Sequence, residues 1–345
     1  MRVDYSKPSA DVRKESSELI SNDLRLLTRQ RRVSKHLLTC EDRSICALCA
    51  EALVGEVFEH RGVPYVLCGE CMHIQSRALP PEGYPHSVEH GVPFDEIYPD
   101  LSTDEYEDRK QRIYQPKLDW SLSVLEGAGY SIDSLAKKKW VEVGCGAGYF
   151  LSCLQDLGFE NTLGLERDPL LVQRANSHLP VSVVALHEHN LEESIEAGEV
   201  DVLVAFFVFE HVPDLAGLFE RIGSLPSGTL VVFSVPVFSL TFLLEHIFEG
   251  CASRSLDSVV HTQLFTEDSL NHAMKIADCS TLGSWVFGQD ADDLTRFLLA
   301  AVSTGLPRKL LMHLQTGLTH AIDGVQSALD HASLADQRHI IAVRN

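Results

Sequence analysis

One stretch decides the fold of this chain: residues 139–151, which read KWVEVGCGAGYFL. Val141 and Val143 are β-branched, as strands prefer, whereas Phe150 and Leu151 begin an apolar pattern at helical spacing. The glycines between them allow positive φ and leave room for a ligand to approach the backbone. A strand that passes into a helix through such a turn predicts a small-molecule site at the carboxyl end of the strand.

Acidic residues flank this glycine turn. Glu142 lies two residues before the first glycine, and Glu166 ends the next predicted strand, about 20 residues past the turn, where a ribose is commonly held by its hydroxyls. The dinucleotide fingerprint G-x-G-x-x-G does not fit, because Tyr149 or Leu151 stands where its last glycine should be. A third segment, residues 201–214 (DVLVAFFVFEHVPD), reads as a strand followed by a polar turn. The alternative is a glycine turn and two surface acids that bind no ligand. In that case, all three segments would have to occur together by chance.

The order of these segments resembles that of the class I S-adenosylmethionine (SAM) methyltransferases. The resemblance implies a Rossmann-like α/β sheet with helices on both faces, in which Glu142 holds the amino end of the methionine and Glu166 holds both ribose hydroxyls. Asn190, after the third strand, is a candidate for the adenine edge, with a surface turn as the alternative. The predicted cofactor-binding residues are Glu142, Gly144, Cys145, Gly146, Gly148, Glu166, Arg167, Asn190 and Phe207.

The Glu210-His211 pair, after the fourth predicted strand, supplies the candidate acid–base chemistry. Because a sulfonium already activates the methyl of SAM, the protein must orient donor and acceptor and, where needed, take a proton. His211 could act as the base, since imidazole titrates near neutrality, and Glu210 could orient it or bind the acceptor. Adjacent residues on a strand point to opposite faces, so only one of the two is expected to face the acceptor. A helix-entry pair without a chemical role is the alternative.

Two C-x-x-C pairs, separated by eighteen residues, lie in residues 40–78. Each pair can form a tight knuckle, and two knuckles supply four thiolates for a tetrahedral, structural Zn²⁺. Two short segments between the pairs, residues 57–60 (VFEH) and 63–67 (VPYVL), predict a hairpin with Arg61-Gly62 as its turn. Reduced cysteines in a core and a redox pair are the alternatives, although no βαβ unit surrounds either pair. The predicted ligands are Cys46, Cys49, Cys68 and Cys71.

The net charge and composition of the chain indicate which classes of partner and compartment are expected. The 345 residues carry a formal net charge of −20, which disfavours nucleic acid and anionic membranes unless a local basic patch overrides it. No secretory h-region opens the sequence, and the paired cysteines indicate a reducing compartment, so a cytoplasmic protein is expected. The uncharged run 223–244 is broken by prolines and is read as a turn, a buried strand and a lid rather than a membrane span. The basic cluster from Arg29 to Lys35 is read as a solvated helix end, or else an anion contact.

The chain divides into four predicted parts. These are a solvated helical arm (1–39), the zinc-binding module (40–78), a connector and helix over the active site (79–134), and a methyltransferase domain (135–345) with a lid (237–263) and a helical insertion (290–330). Thr266 is expected to cap a helix alone, without a capping box. Strands are predicted at 139–143, 162–166, 181–185, 201–207, 229–235, 281–288 and 338–343. Helices are predicted at 104–127, 147–158, 169–178, 191–197, 214–224, 240–248, 290–303 and 307–330.

The combination of a four-cysteine module, a tyrosine-bearing connector and a Glu-His pair resembles the sugar C-methyltransferases that act on nucleotide-linked keto-deoxysugars. The resemblance covers roughly residues 40–290 and implies acid–base roles for His211 and a connector tyrosine, with Tyr98 as the candidate and Tyr84 and Tyr106 as alternatives. Val208 departs from it, because a tyrosine is expected there. The predicted acceptor is a small molecule, with a nucleotide sugar as the candidate.

Three other functions stay open from the sequence. One is O- or N-methylation of another small metabolite. Another is methylation of guanine in ribosomal RNA, which occurs in enzymes with a similar module but should require a basic face. The last is a SAM-binding or zinc-mediated interaction protein without activity. The sequence leaves open the acceptor atom and the oligomeric state.

Overall fold

A computed structural model describes residues 1–8, 13–81, 101–181, 183–186, 200–302 and 305–345. The strands are β1 (Arg2–Tyr5), β2 (Gly55–His60), β3 (Val63–Cys68), β4 (Ile74–Ser76), β5 (Trp140–Val143), β6 (Thr162–Glu166), β7 (Val184–Leu186), β8 (Val202–Phe206), β9 (Leu230–Pro236), β10 (Gln263–Leu264), β11 (Cys279–Phe287) and β12 (Gln337–Arg344). The helices are α1 (Arg13–Leu37), α2 (Thr103–Arg109), α3 (Gln115–Gly127), α4 (Ile132–Ala136), α5 (Tyr149–Asp156), α6 (Pro169–His178), α7 (Leu215–Gly223), α8 (Leu240–Ile247), α9 (Glu267–Ile276), α10 (Asp290–Val302) and α11 (Arg308–His331).

An eight-stranded sheet forms the centre of the fold, in the order β1-β11-β12-β9-β8-β5-β6-β7. Strands β5 to β9 run parallel to one another, and β12 runs antiparallel between β9 and β11. The direction of winding reverses between β5 and β8, which is where ligands bind in open parallel sheets. The predicted α/β class with a parallel-rich sheet and helices is therefore confirmed.

The central strands are buried on both faces, as a parallel sheet with helices on each side requires. Val141 and Leu203 belong to a core that includes Phe219 of α7. Trp140 and Val202, one residue earlier in each strand, belong to the opposite core with α3 and α5. The period of two along β5 therefore directs Glu142, like Trp140, toward the face covered by α3 and α5.

Most predicted elements occur where their local signals are strong. The predictions 162–166 and 169–178 coincide with β6 and α6, and 290–303 and 307–330 correspond to α10 and α11. The predicted helix 104–127 is α2 and α3 joined by a π-helical turn, Lys110–Tyr114. The predicted helix 191–197 lies outside the described residues. The expectation that Thr266 caps alone is wrong, because the Ser269 hydroxyl accepts the Thr266 N–H at 2.8 Å and completes a capping box.

The amino-terminal region is more closely packed than the predicted solvated arm. Residues 2–5 form a strand that pairs in parallel with β11 at the edge of the main sheet. Val33 and Leu37 of α1 are fully buried, and the Gln30 side chain makes hydrogen bonds of 2.6 and 2.9 Å with the backbone of Ser253. Helix α1 therefore packs on segment 237–263.

The predicted zinc module contains a second sheet, ordered β10-β4-β3-β2. Its hairpin turns at Arg61 and Gly62, as the sequence predicted. Both residues have positive φ. Strand β10 comes from the segment after β9, yet it pairs with β4 in the register Gln263↔Gln75. The main core also includes Cys46 and Leu48. The cysteine-bearing turns thus pack into the main core, whereas Val63, Tyr65, Ile74 and Leu264 of the second sheet form a separate cluster. The division of the chain into domains stays a prediction.

Segment 237–263, the predicted lid, is held by a buried carboxylate. Glu245 accepts hydrogen bonds from the hydroxyls of Ser253 and Ser255 and from the backbone N–H groups of Arg254 and Ser255. Arg254 in turn forms ion pairs with Asp293 and Asp336. Among the helices of the described ranges, none is long and apolar enough to cross a bilayer.

Candidate active site

The glycine turn lies at the carboxyl end of β5 and opens α5. Gly144 has φ of 65°, and a Cβ there would lie 2.7 Å from Cγ2 of Val208, so a side chain is excluded. Gly146 has φ of 54°, but no described atom lies within 4 Å of its hypothetical Cβ. The loop is therefore packed against the turn after β8 at Gly144 and has open space at Gly146, where a ligand can approach.

Glu166 lies at the end of β6, and its carboxylate contacts the glycine turn. Its Oε2 accepts the N–H of Gly146 at 2.9 Å, and its Oε1 accepts the N–H groups of Arg167 and Asp168 at 2.7 and 3.0 Å. A carboxylate has about four acceptor positions, so one position on Oε2 is still available to a hydroxyl. The structure places Glu166 beside the loop, as the sequence predicted.

Glu142 is a buried carboxylate beneath the same turn. It is 3% exposed, and its Oε2 has no hydrogen-bond partner within the described residues. Burial raises the pKa of Glu142 to about 8, with Lys117 lowering that pKa and Glu166 raising it. Burial of a charged carboxylate is costly, so a cationic group of a ligand at Oε2 would stabilise the ionised form.

Lys117 of α3 supplies a positive charge that the sequence prediction missed. Its ammonium is 4.6 Å from the ring centroid of Phe206 and 5.0 Å from those of Phe207 and Tyr114. Burial lowers the pKa of Lys117 to about 7, while the Glu142 carboxylate raises it. A buried acid and a buried base thus lie close together, which suits the zwitterionic end of an amino acid.

The Glu210-His211 pair lies in a 3₁₀ turn, Phe209–His211, and not on a strand. Oε1 of Glu210 is 4.0 Å from Nε2 of His211 and 4.0 Å from Nε2 of His261, which lies in segment 237–263. The expectation that Glu210 and His211 point to opposite faces is therefore wrong, because a turn lacks the alternation of a strand. His261 was not predicted as a site residue.

The two acid–base residues differ in their surroundings. Glu210 is fully buried, and burial raises its pKa to about 8. The His211 side chain is 41% exposed, and desolvation by the surrounding protein, together with the neighbouring His261, lowers the pKa of His211. Because Nδ1 of His211 lies 3.1 Å from the carbonyl of Val260, which can only accept, Nδ1 carries the proton and Nε2 has the free lone pair.

Other predicted site residues have different positions. The sulfur of Cys145 would lie 2.7 Å from a Cβ at Gly164, so it fills the space under the loop. Arg167 is exposed at the rim, and Phe207 has φ of 56° and lies under Lys117. The Tyr106 hydroxyl donates to the carbonyl of Ala147 at 3.2 Å, which holds it on the glycine loop. Asn190, Tyr98 and Tyr84 lie outside the described residues.

The four predicted zinc ligands are close together. The sulfur of Cys46 is 3.6 Å from that of Cys71, and the sulfurs of Cys49 and Cys68 are 3.8 Å apart. Zinc bonds of about 2.3 Å in a tetrahedron separate sulfurs by about 3.8 Å, whereas a disulfide would need about 2.05 Å. All four are free thiols, so the geometry fits a bound zinc ion.

Hydrogen bonds to sulfur support this site. The side-chain amide of Gln75 donates to the Cys46 sulfur at 3.1 Å, and the Leu48 N–H does so at 3.4 Å. The Cys71 thiol lowers the pKa of Cys46 through a hydrogen bond, and the same bond raises the pKa of Cys71. Donors directed at Cys46 stabilise a thiolate, which is the form that binds metal.

Gln263 of β10 joins the zinc module to the candidate active site. Its amide nitrogen donates to the carbonyls of Val212 and Glu210 at 2.6 and 3.3 Å. Its amide oxygen lies 3.2 Å from Nε2 of the buried His73, two residues after the last cysteine ligand. The turn that bears Glu210 and His211 is therefore supported by the module.

Comparison with known proteins agrees with this geometry. Residues 119–282 match the family model of a methyltransferase domain. The matched segment is just under half of the chain and contains the glycine turn, so the central part of the chain is similar to methyltransferase domains.

Individual relatives are distant. The chain is 32% identical over 110 residues to a ubiquinone biosynthesis O-methyltransferase from Cupriavidus pinatubonensis, covering 30% of this chain and 44% of that protein. It is 22% identical over 194 residues to one from Rhodopseudomonas palustris, covering 51% and 75%. The structure is similar to magnesium protoporphyrin IX methyltransferase from Synechocystis, with 13% identity, a TM-score of 0.45, and coverage of 73% and 93%. The match thus spans less than half of the first relative's length.

Proposed function

We propose that the protein transfers the methyl group of SAM to a small-molecule acceptor. The observation that carries this proposal is the buried carboxylate of Glu142, whose Oε2 has no hydrogen-bond partner among the described residues, beneath a glycine turn that Glu166 braces from the next strand. Incubation of the purified protein with methyl-labelled SAM and a panel of phenol, catechol, nucleotide-sugar and RNA acceptors tests it. Labelled product from one small-molecule class supports the proposal, whereas transfer only to RNA contradicts it.

The acceptor itself has two candidates. A nucleotide-linked keto sugar is suggested by the four-cysteine module and the Glu-His pair, but Val208 replaces the expected tyrosine and packs against Gly144. A hydroxylated small metabolite is favoured by the relatives named ubiquinone biosynthesis O-methyltransferases. The acceptor panel separates C-methylation from O-methylation through the chemical stability of the labelled product.

The methionine end of SAM is assigned to Glu142 and Lys117. The Glu142 carboxylate would bind the amino group and the Lys117 ammonium would bind the carboxylate, so each buried charge gains an opposite partner. The ribose is assigned to Glu166 and the methyl acceptor to the region of His211 and Glu210. Tyr98 is still the candidate for acid–base chemistry, and Asn190 is still the candidate for binding the adenine edge. The four cysteines are assigned to a structural zinc ion, because a site with four protein ligands has no open position for catalysis.

Replacing Glu166 with alanine should weaken SAM binding about tenfold to hundredfold. The change removes an acceptor for the ribose hydroxyls and the brace on Gly146, and a hydrogen bond to a charged group contributes about 1.5–3 kcal/mol. Calorimetric titration with SAM measures the effect. Glu160→Ala, at an exposed position just before β6, is the matched control and should bind SAM normally. Equal affinity in the two variants would remove Glu166 from the site.

The affinity for SAM should show a bell-shaped dependence on pH, with a plateau between about pH 7 and pH 8. Below pH 7, Glu142 is protonated and must lose its proton to bind the ammonium, so affinity falls as the pH falls. Above pH 8, Lys117 is neutral and must gain a proton to bind the carboxylate, so affinity falls as the pH rises. Between these values the proton passes from Glu142 to Lys117, and no net exchange with solvent is needed.

Two variants show which residue causes the acidic limb and which causes the alkaline limb of this pH profile. Glu142→Gln should lose the acidic limb, and Lys117→Met should lose the part of the alkaline limb that comes from the protein. The amino group of free SAM also titrates near pH 8, so the difference between wild type and Lys117→Met isolates the lysine. Dissociation constants for SAM between pH 6 and pH 9 give the profiles. Identical profiles in all three proteins would contradict the assignment of the methionine end.

A further inference from the structure

Three side chains with metal-binding atoms lie close together beside the turn after β8. Glu210 and His211 belong to that turn, and His261 belongs to segment 237–263. One carboxylate oxygen of Glu210 and ring nitrogens of His211 and His261 all lie within 4.8 Å of one another. Glu210 is 0% exposed, and neither of its oxygens has a hydrogen-bond partner in the part of the chain that the structure describes. A buried carboxylate of this kind is costly unless a cation or a donor compensates it.

Both imidazoles are oriented for ligation. Nδ1 of His211 faces the Val260 carbonyl at 3.1 Å, and Nδ1 of His261 faces the Arg254 carbonyl at 2.9 Å. Since carbonyl oxygens only accept, each Nδ1 carries a proton, and each Nε2 keeps a lone pair and lies 4.0 Å from Oε1 of Glu210. Metal-ligating histidines are held in this way, with the second ring nitrogen donating to a carbonyl or carboxylate.

The backbone that carries these contacts is itself fixed. Oδ1 of Asp257 accepts the N–H groups of Val259, Val260 and His261 at 2.8, 2.9 and 3.0 Å. The same carboxylate thus holds His261 and the residue whose carbonyl orients His211. The imidazole rings lie face to face, with centroids 5.0 Å apart and planes inclined by 25°.

We propose that Glu210, His211 and His261 bind one divalent transition-metal cation through a carboxylate oxygen and two Nε2 atoms. A tetrahedral ion with bonds of about 2.1 Å needs ligand atoms about 3.4 Å apart. The two Glu210–histidine distances of 4.0 Å approach this value, and the half-exposed His211 ring has room to move inward. Two imidazoles and one carboxylate suit zinc, cobalt, iron or manganese rather than calcium or magnesium.

The site differs in kind from the four-cysteine cluster. It has three protein ligands, so a fourth position is open to water or to an acceptor oxygen. It lies beside the glycine turn, because Val208 of the same chain segment packs against Gly144. Cation binding requires neither SAM nor acceptor, so the proposal is tested separately from methyl transfer.

Cobalt titration of the full chain, with zinc already bound to its cysteines, tests the proposal. The wild-type protein should bind one further equivalent of Co²⁺, with d–d absorption but without the charge-transfer bands that thiolate ligands give. Glu210→Gln and His261→Gln should each weaken this binding at least about 100-fold, since loss of a supporting residue alone costs about 10- to 100-fold. His313→Gln, at an exposed histidine of α11, is the matched control and should bind Co²⁺ normally.

A thermal melt of the wild-type protein with and without Co²⁺ gives a second readout, because a ligand that binds only the folded state raises the melting temperature. The increase should be present in His313→Gln and absent in the two ligand variants. Wild-type protein that carries one zinc ion per chain by elemental analysis and binds no further cobalt would overturn the proposal. Cobalt binding of equal strength in wild type, Glu210→Gln and His261→Gln would also overturn it.

Discussion

Replacing His211 with alanine is expected to lower the turnover of methyl transfer about 10²- to 10⁴-fold, the range for loss of a general base. Its Nε2 has a free lone pair, because Nδ1 donates to the Val260 carbonyl. When no cation occupies the Glu210–His211–His261 site, a neutral imidazole in this position can accept the proton that leaves the acceptor, and the neighbouring Glu210 can stabilise the resulting cation. SAM affinity should change only a few-fold, because the cofactor is assigned to Glu142, Lys117 and Glu166.

Single-turnover rates and SAM titration on the purified variant measure this effect once an acceptor is known. His313→Ala, which removes an exposed histidine of α11, should retain full turnover. If His211 acts as a base, a mild chelator should leave the wild-type rate unchanged. If it acts as a ligand of a bound cation, the chelator should lower that rate and added metal should restore it. A fully active His211→Ala protein would make the residue structural and direct attention to the connector tyrosines.

Replacing Cys68 with serine is expected to abolish cooperative folding of the chain. Structural zinc contributes about 10–16 kcal/mol of apparent binding free energy in small zinc modules, whereas a folded domain is stable by only about 5–15 kcal/mol. Cys68 is fully buried, and Cys46 and Leu48 belong to the same core as Phe219 and Phe265. Loss of the metal should therefore disturb the main domain as well as the module.

Elemental analysis and thermal unfolding of the variant test this expectation. Cys40→Ser is the matched control, because Cys40 lies outside the four-sulfur cluster and donates only to the His36 carbonyl at 3.5 Å. The control should contain one zinc ion per chain and melt like the wild type. A zinc-free Cys68→Ser protein with an unchanged melting temperature would refute a structural metal.

The sequence predictions that agree best with the structure rest on residues that are close together in the chain. The positions of Cys46, Cys49, Cys68 and Cys71 followed from spacing alone, since each pair forms its own knuckle. The bounds of β6 and α6 were also local, because Asp168 caps the helix with its side chain and proline stands at the first helical position. Signals of this kind need no knowledge of distant parts of the chain.

The missed residues depend on tertiary contacts. Lys117 reads as one more charge on a helix, and only its packing against Phe206 and Phe207 shows that it is buried. His261 lies far along the chain from His211, and its only sequence signal is its position before a predicted helix. Strand β1 is short and largely exposed at the sheet edge, so it lacks the buried alternation that identifies a strand.

The pairing of β10 with β4 has a consequence for the order in which the chain folds during synthesis. The four cysteines are translated well before β10, and the hairpin between them is local, so the proposed zinc ion can bind before β10 is made. The fourth strand of that sheet is translated only after most of the methyltransferase domain, and contacts of such long sequence separation form late. The nascent module therefore exposes the edge of β4 until residues 263–264 are made, and during this interval that edge is free to pair with another strand.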